Sequence, residues 1–240
     1  MLSLEGRPVV AAVFDFDGVL ADTAAGWSRA ESALCEHFGV VYTGTLAEAT
    51  HGVGLSDAVR VLTAGVEPPV VHDAAVEKLR ALAEQHVPEN LMAVKGGVAT
   101  VRALSRLLPV AIASNSERPL LEHLVHRLGL AEHVTTVVSA SDVAAPKPAP
   151  DVYQEAARRL GAAPGYTLAV EDSATGGTAA QAAGCVVVAL ALEDAPWSTA
   201  DHSPSWAAVT VRSHEGLLAR LLPSSTATPD GTAEPEQNSH

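Results

Sequence analysis

Side chains that could do acid–base or phosphate chemistry follow four separate apolar segments of this 240-residue chain. The groups are, in chain order, Asp15 and Asp17, Ser114 and Asn115, Lys147, and Glu171 and Asp172. Carboxylates that come together repel one another, and their pKa values rise unless a cation neutralises them. A hard divalent cation such as Mg²⁺ typically binds one or two carboxylates together with substrate phosphate and water. If the fold brings these groups together, they form a magnesium site suited to a phosphate ester.

Each of these groups has a chemical use at such a site. A carboxylate can serve as the covalent nucleophile toward phosphorus. A second acid, Asp17, can protonate the leaving alcohol and later accept a proton from water. Lys147 would balance the charge of both the nucleophile and an anionic substrate. Ser114 precedes a predicted helix, and backbone N–H groups at a helix start could also hold an anion. The set predicts phosphoryl transfer through a carboxylate.

The elements that must position these groups alternate between strand-like and helix-like segments. Continuous apolar runs rich in β-branched residues, typical of buried parallel strands, occur at residues 8–14, 110–113, 134–138, 167–170 and 186–190. Helical patterns separate the last four, at residues 117–128, 149–160 and 173–183. This alternation predicts an α/β fold with a doubly wound parallel sheet. Ligands of such sheets bind beyond the carboxyl ends of the strands, where the polar groups stand in the sequence.

A long helical segment interrupts the alternation after the first strand. From residue 24 to about residue 95 no strand pattern occurs, and residues 28–38, 55–63 and 70–86 have amphipathic helical patterns. We therefore predict a small all-helical cap domain inserted into the core, with hinges at residues 21–24 and 87–97. The predicted boundaries are 1–23 and 93–222 for the core, 24–92 for the helical domain and 223–240 for a disordered tail rich in Pro, Ser and Thr.

Composition and charge exclude several functional classes. Fifteen basic against 28 acidic residues give a formal net charge of −13, which disfavours nucleic acid and anionic membrane surfaces as partners. A hydrophobic content of 48% excludes a largely disordered chain. Two cysteines cannot form a disulfide framework, and neither a secretion signal nor an apolar run of membrane-spanning length occurs. We therefore expect a cytoplasmic protein that acts on a small molecule as a monomer, and the sequence leaves an oligomer open.

Four ordered motifs of this sequence resemble those of the haloacid dehalogenase superfamily. They are Asp15-Phe-Asp-Gly-Val-Leu20, Ala113-Ser-Asn-Ser116, Pro146-Lys-Pro148 and Glu171-Asp-Ser173, the last followed by Gly176-Gly177. The resemblance implies that Asp15 is the nucleophile, Asp17 the general acid and base, and Lys147 the neutralising cation. It also implies that Ser114, with Asn115 beside it, binds phosphate. The implied Mg²⁺ ligands are Asp15, Glu171, Asp172 and the backbone carbonyl of Asp17.

The inserted helices resemble the cap of the branch that includes beta-phosphoglucomutase and many sugar-phosphate phosphatases. The presence of Asp17 argues against dehalogenation, because a halide leaving group needs no proton. The mutases carry a His at the position of Trp27 and an Arg near the position of Leu55, so both departures favour hydrolysis over isomerisation. His51-Gly52 is similar to a cap segment that faces the substrate in sugar- and polyol-phosphate phosphatases, which implies that His51 contacts the substrate, although Val53 stands where an Arg usually follows.

Structural roles compete with some of these assignments. Ser114 to Glu117 has the form of a helix capping box, and Ser173 with its acidic neighbours could cap the following helix. Trp27 is interpreted as a packing residue. The favoured function is a Mg²⁺-dependent phosphatase of a sugar or polyol phosphate that works through an aspartyl phosphate. The alternatives are a phosphosugar mutase of the beta-phosphoglucomutase type and a catalytically silent module that binds a phosphorylated ligand.

Overall fold

The computed structural model describes residues 2–192 and 203–222. Within these ranges the strands are β1 (Leu2–Leu4), β2 (Arg7–Val9), β3 (Ala11–Phe14), β4 (Ala21–Asp22), β5 (Met92–Ala93), β6 (Val110–Ser114), β7 (Thr136–Ser139), β8 (Thr167–Glu171), β9 (Val186–Leu190) and β10 (Val209–Val211). The helices are α1 (Ala24–His37), α2 (Gly44–Thr50), α3 (Leu55–Leu62), α4 (His72–Glu89), α5 (Gly97–Leu104), α6 (Arg118–Arg127), α7 (Asp151–Arg159), α8 (Ala174–Ala182) and α9 (His214–Leu221). The predicted disordered tail, residues 223–240, lies outside the described residues and stays a prediction.

Six of the strands form a central parallel sheet in the order β10-β9-β8-β3-β6-β7. Strand β3 lies inside the sheet, with β6 on one side and β8 on the other. The strand order therefore reverses beside β3, which makes its carboxyl end the position where ligands of open α/β sheets bind. The predicted doubly wound parallel sheet is confirmed.

The two faces of the sheet are covered by different helices. Ala12 and Phe14 of β3 belong to one hydrophobic core, which also contains side chains of α5, α6 and α9. Ala11 and Val13 belong to a second core, which includes Tyr153 and other side chains of α7 and α8. Successive residues of a strand point to opposite faces. Because both faces are buried, the strands have continuous apolar sequences rather than alternating ones.

The predicted first strand at residues 8–14 is in fact two strands. Strand β2 ends at Val9 and pairs antiparallel with β1, whereas β3 belongs to the central sheet. The two-residue turn between β1 and β2 has positive φ at Glu5 (48°) and Gly6 (77°), as tight hairpin turns require. Pro8 has no amide hydrogen and therefore suits this ribbon better than the middle of a sheet. The unbroken apolar run concealed the division, and the three-residue strand β10 was not predicted.

Four helices, α1 to α4, lie between β4 and β5, and we call them the helical insert. Helices α1 and α3 both pack against α4. A Cβ on Gly26 would lie 2.6 Å from Cα of Val87, so the close approach of α1 to α4 depends on a glycine. Strands β4 and β5 pair antiparallel at the base of the insert, where the sequence predicted two hinges and no strand. Helix α2 was also not predicted, and the exact domain boundaries stay a prediction.

None of the helices in the described part of the chain combines the length and the apolar character that crossing a bilayer requires.

Candidate active site

Strand register places polar residues from three strands at one edge of the sheet. Phe14 lies opposite Ile112 of β6 and Val170 of β8, so the three strands end at nearly the same level. Asp15 follows β3 directly, whereas Ser114 and Glu171 are the last residues of β6 and β8. These three residues, far apart in the chain, therefore stand together at the carboxyl edge of the sheet.

Three carboxylates converge at this edge. One oxygen from each of Asp15, Glu171 and Asp172 lies within 4.8 Å of the others. Oδ1 of Asp172 is buried and accepts no hydrogen bond from the described residues, which is uncommon for a buried polar atom. Two glycines leave room for these side chains: a Cβ on Gly176 would lie 1.7 Å from Oε1 of Glu171, and one on Gly18 would lie 1.8 Å from Oδ2 of Asp172. This set of oxygen donors fits Mg²⁺.

Lys147 is the cation within this group of carboxylates. Its Nζ donates to Oδ1 of Asp15 over 2.6 Å and to Oε1 of Glu171 over 2.7 Å. The hydroxyl of Tyr153 donates to the same Glu171 oxygen over 2.5 Å. Lys147 Nζ also lies 5.0 Å from the centre of the Tyr153 ring, within the range of a cation–π contact. All four side chains are buried, so the charges interact with little screening by water.

The negative charge at this edge exceeds what one ammonium can neutralise. Burial, together with the nearby Glu171, raises the pKa of Asp15 to about 8, although Lys147 opposes the shift. Burial also raises the pKa of Asp172 well above its usual range, with added contributions from Asp15 and Glu171. Burial by itself would lower the pKa of Lys147, but the two carboxylates bonded to it raise it above its ordinary value. A second cation would allow all three carboxylates to ionise together.

The Asp17 side chain lies outside the three-carboxylate cluster and has its own hydrogen-bond network. Its Oδ1 accepts from Oγ1 of Thr23 over 2.6 Å and from Nε1 of Trp27 over 3.3 Å. Its Oδ2 accepts from Oγ of Ser114 over 3.1 Å and from Oγ of Ser116 over 3.0 Å. The Asp17 carboxyl group therefore makes four hydrogen bonds, one with an indole N–H and three with hydroxyl groups. Trp27, interpreted from the sequence as a packing residue, therefore also contacts Asp17, the predicted general acid and base.

The two capping alternatives have different outcomes. The capping box from Ser114 to Glu117 does not form, because α6 begins at Arg118 and has no side-chain cap. Instead, Oγ of Ser114 accepts from the backbone N of Ser116 and donates to Asp17. Ser173, by contrast, caps α8 by accepting from the backbone N of Gly176 over 3.0 Å. Gly176 thus has two roles: its backbone N–H takes part in the helix cap, and its missing side chain leaves space for Glu171.

Asn115 and His51 occupy different positions at the site. The Asn115 side chain accepts from the backbone N of Lys147 over 2.8 Å, and its Nδ2 donates to the backbone oxygens of Lys147 and Gly52. It therefore joins the Lys147 loop to the helical insert, and its predicted phosphate contact stays a prediction. His51 is exposed and lines the same cavity as Asp15.

A cavity of about 240 Å³ separates the sheet edge from the helical insert. Its walls include Asp15, Asp17, Ser114, Lys147 and Asp172 from the core, and Trp27, Glu31, Tyr42, Thr50 and His51 from the insert. Sequence reasoning did not identify Thr23, Ser116, Tyr153 or Glu31 as members of the site. Only Tyr153 gave any signal, because a tyrosine hydroxyl on the apolar face of a predicted helix needs a buried partner.

Comparison with known proteins places this geometry in context. The structure of beta-phosphoglucomutase from Clostridium difficile superposes with a TM-score of 0.76 over 88% of this chain and 96% of that chain, at 18% sequence identity, so the two share a fold. Fructose-1-phosphate phosphatase YqaB of Escherichia coli (strain K12) is 30% identical over 185 residues, which are 75% of this chain and 95% of that protein. Hexitol phosphatase B of the same organism is 30% identical over 183 residues, or 74% of this chain and 81% of that protein.

The family model described as haloacid dehalogenase-like hydrolase matches residues 12–190, a range that includes all four motifs and the helical insert. The family predicted from the motifs is thereby confirmed. This chain belongs to the haloacid dehalogenase-like hydrolases.

Proposed function

We propose that this protein is a Mg²⁺-dependent phosphatase that hydrolyses a sugar or polyol phosphate through an aspartyl phosphate. One observation carries the proposal: the Asp15 carboxylate lies in a three-carboxylate cluster beside Lys147, while Asp17 stands next to it on a separate network of donors. The fructose-1-phosphate and hexitol phosphatases among its relatives support the substrate class. We expect it to act in the cytoplasm as a monomer.

The magnesium ion would be held by Asp15, Glu171, Asp172 and the backbone carbonyl of Asp17. When bound, it would neutralise negative charge on the phosphoryl group and on the nucleophile. Asp172 Oδ1 is buried without a hydrogen-bond partner among the described residues, so a bound cation would offset the cost of burying it.

The protein's own residues then divide the reaction into two steps. In the first, a carboxylate oxygen of Asp15 forms a bond to phosphorus as the ester P–O bond breaks, and a protonated Asp17 gives its proton to the leaving alcohol oxygen. In the second, Asp17 takes a proton from water as the water oxygen attacks phosphorus, which releases phosphate and regenerates Asp15. Lys147 stabilises the charge on the transferring group in both steps.

Ser114 connects the binding of phosphate to the state of Asp17. Its hydroxyl donates to Oδ2 of Asp17 in this structure. A hydroxyl has one proton, so donation to a bound phosphate would remove one of the four hydrogen bonds that hold the Asp17 side chain. Phosphate binding at Ser114 would thus free Oδ2 of Asp17 to face the leaving oxygen.

The helical insert would act as a cap that excludes bulk water. Among the contacts that join it to the core, Nδ2 of Asn115 donates to the Gly52 oxygen over 3.0 Å, and Nη2 of Arg80 donates to Oε1 of Glu117 over 2.7 Å. Exclusion of water strengthens electrostatic stabilisation in the site. Because residues 21–24 and 87–97 connect the insert to the core, they are where bending would admit substrate and release product.

The test is phosphate release from a panel of phosphorylated metabolites, measured with Mg²⁺ and again after its removal with EDTA. We expect turnover of sugar or polyol phosphates that EDTA abolishes and Mg²⁺ restores. Asp17→Asn should slow both steps by about 10²- to 10⁴-fold and allow the aspartyl phosphate to accumulate, which intact-protein mass spectrometry detects as one added phosphoryl group. Tight binding of a phosphorylated ligand without turnover would instead identify a silent binding module.

Incubation with glucose 1-phosphate separates hydrolysis from isomerisation. A phosphatase releases inorganic phosphate, whereas a mutase returns the phosphoryl group and yields glucose 6-phosphate. Formation of glucose 6-phosphate would overturn the proposed hydrolysis while leaving the role of Asp15 intact.

A further inference from the structure

A second buried carboxylate, Glu31, lies on α1 in the helical insert and lines the same cavity as Asp15. The residue is only 6% exposed. Glutamates are almost never buried to this extent without a charged partner. Within the described residues, however, no Lys, Arg or His forms an ion pair with Glu31. Its burial therefore needs another explanation than charge pairing.

Two hydroxyl groups of the insert fix the position of this carboxylate. Oε2 of Glu31 accepts from the Tyr42 hydroxyl over 2.5 Å and lies 3.0 Å from Oγ1 of Thr50. The one proton of the Thr50 hydroxyl is shared between Glu31 and the backbone oxygens of the preceding turn, at 3.0 and 3.2 Å. Its other oxygen, Oε1, accepts no hydrogen bond from the described residues, although a carboxylate can accept about four. Tyr42 and Thr50 also line the cavity, and we call the three residues the Glu31 cluster. The cluster therefore presents to the cavity a carboxylate whose position is fixed and whose Oε1 can still accept hydrogen bonds from a ligand.

The two walls of the cavity differ in whether they carry a Lys or Arg side chain. Lys147, on the sheet-edge wall, is the only Lys or Arg among the described residues that line the cavity. The described part of the insert wall carries the acidic Glu31 and neither a Lys nor an Arg. A phosphate bound beside Lys147 would leave the alcohol part of the ester toward the insert. There, a hydroxyl can donate to Glu31, whereas a second anionic group would be repelled with little screening by water.

We propose that the Glu31 cluster binds hydroxyl groups of the substrate's alcohol part, and so selects phosphate monoesters of neutral polyhydroxylated alcohols over esters with a second anionic group. The proposal rests on the proposed function and adds to it the residues that set specificity. The sequence motifs pointed to His51-Gly52 as the part of the insert that faces the substrate and did not include Glu31.

The test compares kcat/KM for fructose 1-phosphate and sorbitol 6-phosphate with that for phosphoglycolate, which carries a carboxylate, and for p-nitrophenyl phosphate, which has no hydroxyl on its alcohol part. We expect the wild-type enzyme to prefer the two hydroxylated esters. Glu31→Gln should lower their kcat/KM by about 10- to 100-fold, mostly through KM, because a charged hydrogen-bond acceptor is lost. The loss on p-nitrophenyl phosphate should be much smaller, and the preference over phosphoglycolate should shrink.

Two further variants make the result interpretable. Glu36→Gln, on the exposed side of α1, changes the same charge outside the cavity and should leave all four values unchanged. Tyr42→Phe keeps the Glu31 charge but removes one donor that fixes it, so it should lower kcat/KM for the hydroxylated esters by about 2- to 10-fold. If Glu31→Gln fails to fold by circular dichroism, Tyr42→Phe and the wild-type preference decide the question.

The outcomes separate this proposal from the proposed function. Equal losses on all four esters in Glu31→Gln, or a wild-type preference for phosphoglycolate, would overturn the role of the Glu31 cluster while hydrolysis stands. A preference for O-phosphoethanolamine, which presents an ammonium, would overturn the assignment to neutral alcohols. No hydrolysis of any ester, p-nitrophenyl phosphate included, would instead overturn the proposed function.

Discussion

Two buried acidic groups face one cavity, and they are compensated in opposite ways. At the sheet edge, Asp15 and Glu171 share the ammonium of Lys147, and one buried oxygen of Asp172 has no hydrogen-bond partner among the described residues. In the insert, the part of the chain that the structure describes offers Glu31 only neutral hydroxyls as hydrogen-bond partners. The first arrangement suits a metal ion and a dianionic phosphate, because cations are already required there. The second suits neutral hydrogen-bond donors. The comparison indicates that the core binds the phosphoryl group and that the insert selects the alcohol part of the ester.

The largest effect should come from Asp15→Asn. It removes the nucleophile, so hydrolysis of every phosphate ester should fall by about 10⁴-fold or more, whichever alcohol is attached. The measurement is phosphate release on the same four esters used for Glu31→Gln, with circular dichroism to confirm folding. If Asp15→Asn loses activity equally on all four esters while Glu31→Gln loses it mainly on the hydroxylated ones, the division of roles between core and insert is supported. Wild-type-like turnover by Asp15→Asn would remove the basis of the proposed mechanism.

The second-largest effect should be on the response to magnesium, which should change in Asp172→Asn and not in Glu31→Gln. Asp172→Asn removes a charged ligand, so the Mg²⁺ concentration for half-maximal activity should rise by about 100-fold or more. We also expect Mg²⁺ to raise the melting temperature of the wild-type protein, because ligand binding stabilises only the state that binds, and Asp172→Asn should lose this increase. Glu31→Gln should leave the Mg²⁺ midpoint where it is. A shift of that midpoint in Glu31→Gln would show that the two sites are not independent.

A single methyl group at the sheet edge should have a smaller effect. In Gly176→Ala the new Cβ would lie 1.7 Å from Oε1 of Glu171, so the carboxylate must move. A displacement of about 1 Å in a catalytic site can cost about 10²-fold in rate. Gly165→Ala is the matched control, because a Cβ there meets no atom within 4 Å and the backbone needs no positive φ. Equal kcat/KM in the two variants would show that the Glu171 position tolerates displacement.

Glu31→Gln, which should lower activity on hydroxylated esters, should raise the free energy of unfolding at neutral pH. Burial raises the pKa of Glu31, against the opposing effect of the Tyr42 and Thr50 hydrogen bonds. The folded protein therefore binds the Glu31 proton more tightly than the unfolded chain, and the free energy of unfolding falls as pH rises from the ordinary glutamate pKa through the raised one. Glu31→Gln should remove this decrease and be the more stable protein at neutral pH. Urea unfolding of both proteins at acidic and neutral pH measures the difference.

That result would sharpen the functional assignment. A carboxylate that lowers stability at neutral pH and yet improves turnover of hydroxylated esters is one whose position serves binding rather than folding. If Glu31→Gln were instead less stable at neutral pH, Glu31 would be a structural residue.

The smallest effect is expected at Trp27. Trp27→Phe retains an aromatic ring but removes the indole N–H, which donates to Oδ1 of Asp17 over 3.3 Å. Loss of one neutral donor among four should lower kcat by about 3- to 10-fold with little change in the melting temperature. Steady-state kinetics and a thermal melt provide both numbers. Unchanged kcat together with a lower melting temperature would restore the interpretation of Trp27 as a packing residue alone.

Much of the sheet and the central chemistry could be predicted because the signals are local. Five apolar runs marked five of the six strands of the central sheet, and the polar residues after them marked the edge where ligands bind. The division of the first strand was missed because the apolar run continues unbroken through Val10, between the end of β2 and the start of β3. Strand β10 was missed because three residues make too short a pattern.

The sequence by itself determined the fold class, the family and the residue types at the sheet edge, because strand periodicity and motif spacing are properties of short stretches of chain. Only the tertiary structure decided which hydroxyls hold Asp17, that Tyr153 reaches Glu171, and that Glu31 faces the cavity. A glutamate on an amphipathic helix is ordinarily exposed. Which side of α1 is buried depends on how the whole insert packs against itself and over the sheet, and no local pattern contains that information.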